Sequence, residues 1–173
     1  MKNNVSSFMR FLSLTIIMAL IAPVMINAQA GKANFAGNWV ANAEKSTPAP
    51  SGGGGGGQRM GGGNFVAAQE ANLLTVTRTR TGQDGTPTTT VLKYTLDGKV
   101  SVNTNPRGDS KSVATWAADG KSLTIVTTST FGDREMKSTE VWSLTDAKTL
   151  TVAATRPNQD GAETTTKRVY DKK

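Results

Sequence analysis

The chain has 173 residues, no cysteine, no histidine and a formal net charge of +7, a length that suits one domain behind a leader. Without cysteine there is no disulfide, no lipidated thiol and no thiol nucleophile. Without either residue, the usual zinc, haem and copper ligand sets and imidazole acid–base chemistry are excluded.

Residues 1–30 read as a cleaved signal peptide. Lys2 and Arg10 make a basic start, Phe11 to Ile26 is almost wholly apolar, and Ala28-Gln29-Ala30 supplies the small residues of a cleavage site. A spanning helix needs about 20 apolar residues; this run is shorter and contains Pro23. No stable membrane span is therefore expected after cleavage, and the expected location is secreted or periplasmic. Loss of the leader leaves 18 basic against 13 acidic residues, a charge of +5, and 44 apolar residues among 143. Such a thin core must bury its few large side chains well.

Residues 31–173 read as one all-β domain. Phe35 to Val40 is a first strand, and Ala41 to Pro50 a polar connection. Residues 51–63 are glycine-rich, with too much backbone freedom to order themselves. No Gly-Lys-Ser/Thr follows, so this is a surface loop and not a phosphate loop. From about Asn72 the pattern is strand, turn, strand. Leu74-Thr75-Val76-Thr77-Arg78 alternates with period two. Gln83-Asp84-Gly85, Asp97-Gly98, Asp119-Gly120 and Gln159-Asp160-Gly161 are turn signals, because glycine accepts positive φ and aspartate bonds its own backbone. These separated aspartates are turn residues and not a calcium site, which needs converging oxygens.

Leu74 to Tyr94 and Leu150 to Tyr170 align without a gap, with 12 of 21 positions identical. Leu123 to Trp142 has the same layout. Each unit is a hairpin that closes on an aromatic residue, and hairpins bury their apolar faces only side by side. The expected architecture is an antiparallel up-and-down barrel of about 8–9 strands, wide enough for side chains or one small ligand, with a β-sandwich as the alternative.

Phe35-Ala36-Gly37-Asn38-Trp39-Val40, followed by Ala43-Glu44-Lys45-Ser46, resembles the opening of lipocalin-like bacterial exported proteins. Tyr94 to Lys99, Glu140 to Leu144, Thr149 to Val152 and Val169-Tyr170 fit the same pattern. The second lipocalin signature, a Thr-Asp-Tyr stretch, is absent, so the resemblance is to a lipocalin-like barrel and not to the transport lipocalins. It implies a small apolar or amphipathic ligand in an open mouth. It also implies that Gly37 and Trp39 help close the barrel's bottom, with Arg168 as the cation over the indole and Arg156 as second choice.

Arg78 and Arg80 alternate with threonine and read as a solvated strand face. No dense basic patch with stacking aromatics points to nucleic acid. Glu135, Glu140 and Glu163 read as exposed strand residues and not as a hydrolytic pair. Tyr94, Trp116, Trp142 and Tyr170 read as core, with Trp116 and Trp142 as the ligand-contact candidates. The sequence thus leads to a non-enzymatic binding protein for a small apolar or amphipathic ligand, without cofactor or metal. A structural or interaction module of the cell envelope, with a filled barrel and a protein partner, is the alternative.

Overall fold

The structure is a computed structural model that describes residues 31–48, 63–82, 84–105, 108–132, 134–158 and 161–173. The leader and almost all of the glycine-rich stretch lie outside these residues. Ten strands form one antiparallel sheet: β1 (Gly37–Asn42), β2 (Phe65–Glu70), β3 (Leu73–Thr81), β4 (Pro87–Thr95), β5 (Val100–Asn105), β6 (Gly108–Trp116), β7 (Ser122–Phe131), β8 (Arg134–Asp146), β9 (Thr149–Pro157) and β10 (Glu163–Lys172). The strand order is β4-β3-β2-β1-β10-β9-β8-β7-β6-β5. The last strand pairs with the first, as in an up-and-down barrel, and the count exceeds the expected 8–9. Among the described residues there is no helix, and so none long and apolar enough to cross a membrane.

The sheet stops one pairing short of closure, between β4 and β5. Side chains bridge the gap. The Lys93 N–H donates to Asn103 Oδ1 at 2.7 Å, and Asn103 Nδ2 donates to the Lys93 carbonyl at 3.0 Å. Beside them the Thr95 N–H donates to Ser101 Oγ at 2.8 Å. The amide of Asn103 thus copies a backbone peptide at the seam, which satisfies edge groups that would otherwise lie unpaired.

The repeated hairpins fold alike. Leu74 lies opposite Tyr94, and Leu150 opposite Tyr170, while Leu123 lies opposite Trp142 in the third unit. All of these are buried. Turn chemistry fixes the registers. Asp84, Asp97, Asp119 and Asp146 each accept the N–H two residues on, at 2.7–3.1 Å, as turn-forming aspartates do.

Phe35 is not in the first strand. The chain from Ala33 to Phe35 passes beneath the barrel, where the Ala33 N–H donates to the Gly120 carbonyl at 2.8 Å. Gln69, itself buried, holds this segment from above: it accepts the Phe35 N–H at 2.8 Å and donates to the Ala33 carbonyl at 3.0 Å.

Candidate functional site

One end of the barrel is sealed by aromatic side chains. Phe35 stacks on Trp116, with ring centroids 5.7 Å apart, and meets Trp142 edge-on at 5.8 Å. Phe65 lies 5.5 Å from Trp142 and 4.9 Å from Tyr170. Trp39 is buried, and its Nε1 donates to the Phe35 carbonyl at 2.8 Å. Aromatic contacts of this kind add about 0.5–1.5 kcal/mol each beyond the area they bury. Together these rings form a floor.

Above the floor the inward face opens to solvent. The inward residues of β8 show this directly. Trp142 is 1% exposed, the Glu140 side chain 20%, and Met136, nearer the mouth, 45%. Because alternate residues share a face, the cross-strand registers place Arg78 and Arg80 of β3 on the face of buried Leu74 and Val76. They likewise place Arg156 on the face of Leu150 and Val152, and Arg168 on the face of Tyr170. Arg78 and Arg80 are thus not a solvated outer face. The alternation that makes Leu74 and Val76 core residues carries both arginines inward.

These groups meet above the floor. The Arg78 guanidinium lies 4.9 Å from the Phe65 ring centroid. Glu140 stands 3.5 Å from Arg156 Nη2, and its other oxygen accepts the Trp142 Nε1–H at 3.1 Å, so Glu140 is an inward, partnered residue. Burial pushes the Tyr94 hydroxyl above the ordinary phenol range; Glu140 adds to the push and Arg78 opposes it. Burial raises the Tyr170 hydroxyl too, against the pull of Arg78 and Arg168. The Nε and Nη1 atoms of Arg78 and the Nε of Arg156 are buried and have no hydrogen-bond partner among the described residues. Unsatisfied buried donors cost about 1–3 kcal/mol each, more when charged.

The remaining expected site residues separate. Trp142 belongs to the floor. Trp116 is half-buried at the sealed end, with Phe35 on one side and the Lys32 ammonium 5.4 Å from its ring centroid. The cation over Trp39 is Lys172, at 5.5 Å, and not Arg168. The register explains this: Trp39 pairs directly with Lys172, while Arg168 pairs with Val152, further up the lumen. Gly37 belongs to the same contact. A Cβ on Gly37 would collide with Cε of Lys172, and its φ of 152° is one that side chains disfavour. The Lys172 stem reaches the indole across the space that Gly37 leaves.

Sequence reasoning missed Arg78, Glu140 and Gln69 as inward polar groups. For Arg78 the signal was present, in its parity with Leu74 and Val76.

No protein-family model and no curated protein matches the chain. Among solved structures, the barrel is similar to a mutant of the fluorescent protein UnaG. The TM-score is 0.50 and the identity 18%, over 80% of this chain and 96% of that one. At that identity the likeness is one of fold: the chain is a nearly closed, lipocalin-like antiparallel β-barrel.

Proposed function

We propose that this is an exported, non-enzymatic binding protein that holds one small amphipathic molecule in the lumen of its barrel. The observation that carries the reading is the gradient along β8, from buried Trp142 through Glu140 to exposed Met136. A lumen sealed at one end and open at the other is the shape in which lipocalin-like barrels hold ligands. UnaG, which shares the fold, is described as a fluorescent protein. Export is supported by the composition of residues 1–30. The absence of catalysis is supported by the carboxylates. Glu140 is already engaged by Arg156 and Trp142, while Glu135 and Glu163 lie on the opposite strand face. A hydrolytic pair would need two carboxylates facing one cleft.

Native mass spectrometry of protein purified from its own cell envelope tests the reading. A reproducible excess mass that vanishes on denaturation is expected. A clean apo mass, with no uptake from an envelope lipid and small-molecule extract, would overturn it in favour of a filled envelope module.

A further inference from the structure

The lumen above the floor is not apolar. Its inward rows carry hydroxyl side chains, among them Thr90 of β4, Ser110 and Ser112 of β6, Thr127 of β7 and Thr166 of β10. Several of these hydroxyls bond one another or the backbone: Ser112 and Thr127 lie 2.9 Å apart, and Ser110 donates to the Asn103 carbonyl at 3.1 Å. The charges in these rows are Arg78, Arg156 and Arg168 against Glu140, with Arg134 on the same face at the rim, while Arg80, further up β3, is engaged elsewhere. Glu140 offsets part of Arg156. Beyond Glu140, no carboxylate among the described residues shares the face of Arg78 and Arg168, and the Arg78 guanidinium lies where water is partly excluded. In such a place an uncompensated charge is costly and an opposite charge is held strongly. Guanidinium groups with vacant N–H donors suit planar or tetrahedral oxyanions.

We propose that the lumen takes a multiply charged organic oxyanion (a carboxylate, sulfonate or phosphate), with one charged group seated between Arg78 and Arg156 above the aromatic floor. This inference rests on the lumen being the ligand site. It specifies a ligand unlike a neutral lipid or sterol. A single negative charge would leave the lumen strongly positive, whereas a dianion or higher answers more of the arginines. The flat part of the ligand would lie along Phe65 and Leu92, and Met136 would meet it at the mouth.

Isothermal titration of the mature chain with three matched probes tests this: naphthalenedisulfonate, naphthalenemonosulfonate and naphthalenemethanol. All present the same ring system and differ in charge. The disulfonate is expected to bind about tenfold more tightly than the monosulfonate, and the neutral alcohol least. Arg78→Met and Arg156→Met should each weaken the disulfonate by about tenfold or more and narrow its lead, because each removes a charged donor. Lys137→Met, the same charge change on the outer face of β8, should leave binding unchanged. If Arg78→Met does not fold by circular dichroism, Arg156→Met carries the comparison. Equal binding of all three probes, preference for the alcohol, or insensitivity to both arginine variants would overturn the anion inference and leave the lumen reading standing. So would recovery of a neutral ligand by native mass spectrometry. A chain that takes up none of the probes and carries no native ligand would remove both.

Discussion

Lys172 stands directly across the β1–β10 ladder from Trp39, and its ammonium lies 5.5 Å from the indole centroid. Its aliphatic stem crosses Gly37 to get there. The Gly-x-Trp spacing therefore has a local cause: the glycine clears a path for the cation that covers the tryptophan two residues on. Gly37→Ala forces Lys172 aside and puts a side chain at a disfavoured φ. A loss of about 1–3 kcal/mol is expected from this combination of strain and a broken contact. Lys172→Ala alone should cost about 0.5–1 kcal/mol, the usual range for a partly exposed cation–π contact. In a urea double-mutant cycle the cost of Gly37→Ala should shrink when Lys172 is already alanine. Full additivity would mean that the two do not act together.

Gln69 does for the barrel floor what a hydrogen-bonded strand would do elsewhere. It bonds both the Phe35 N–H and the Ala33 carbonyl, and so ties an irregular segment beneath the sheet. Gln69→Leu keeps most of the volume but strands a buried N–H. The expected cost is about 1–3 kcal/mol. Hydrogen exchange should show the Phe35 amide losing protection before the β7–β8 ladder does. Retained protection at Phe35 would mean that aromatic packing alone holds the segment.

Acid should weaken the fold in a defined window. The carboxyl of Asp97 is held down to about 2 by the Lys99 side chain and backbone N–H. Asp84 and Asp146 are lowered chiefly by the backbone N–H groups of Thr86 and Lys148, and Asp171 by Asn42 and Lys45. A carboxyl whose folded pKa lies below its unfolded value of about 3.9 binds protons more readily when unfolded. Its contribution is therefore complete above about pH 4 and is lost as pH falls toward about 2. The urea midpoint should stay level from about pH 7 to about pH 5 and then drop. Asp97→Asn should make that drop shallower, and an unchanged slope would remove Asp97 from the account.

Much of this barrel was legible because its hairpins obey two simple rules at once. Period-two alternation places Leu74, Leu123 and Leu150 on one face, and the turn residues fix the registers that set them opposite Tyr94, Trp142 and Tyr170. The failures lie where a side chain replaces a backbone rule. Phe35 has the alternation of a strand with Gly37 and Trp39, yet it leaves the sheet, because Gln69 offers its backbone another partner. Lys172 sits near the chain end, where a lysine reads as solvated, and only the β1–β10 register reveals its indole. The charge of Arg78 suggests a wet face, although its parity with Leu74 and Val76 points inward. The floor was thus readable as a set of buried aromatics, but the basic lumen above it was not, since charge on a strand ordinarily marks the wet face.

The seam between β4 and β5 rests on the same kind of substitution. Asn103 donates to and accepts from Lys93, as a paired residue on a neighbouring strand would, and Ser101 accepts from Thr95. Both side chains are buried, so their partners have little access to water if the bonds are removed. Asn103→Leu preserves the bulk and removes both bonds. It should cost about 1–3 kcal/mol, because a part-buried N–H and carbonyl lose their partners together. Asn103→Asp keeps an acceptor for the Lys93 N–H but places a carboxylate against the Lys93 carbonyl, so it should destabilise as well, and less so at acidic pH where the carboxyl can donate. Hydrogen exchange should locate the damage. The Lys93 and Thr95 amides should lose protection in Asn103→Leu, while the amides that pair β3 with β4 and β5 with β6 keep theirs. Uniform loss across all four strands would instead mean that the barrel opens as one cooperative unit and that the seam is not its weakest line.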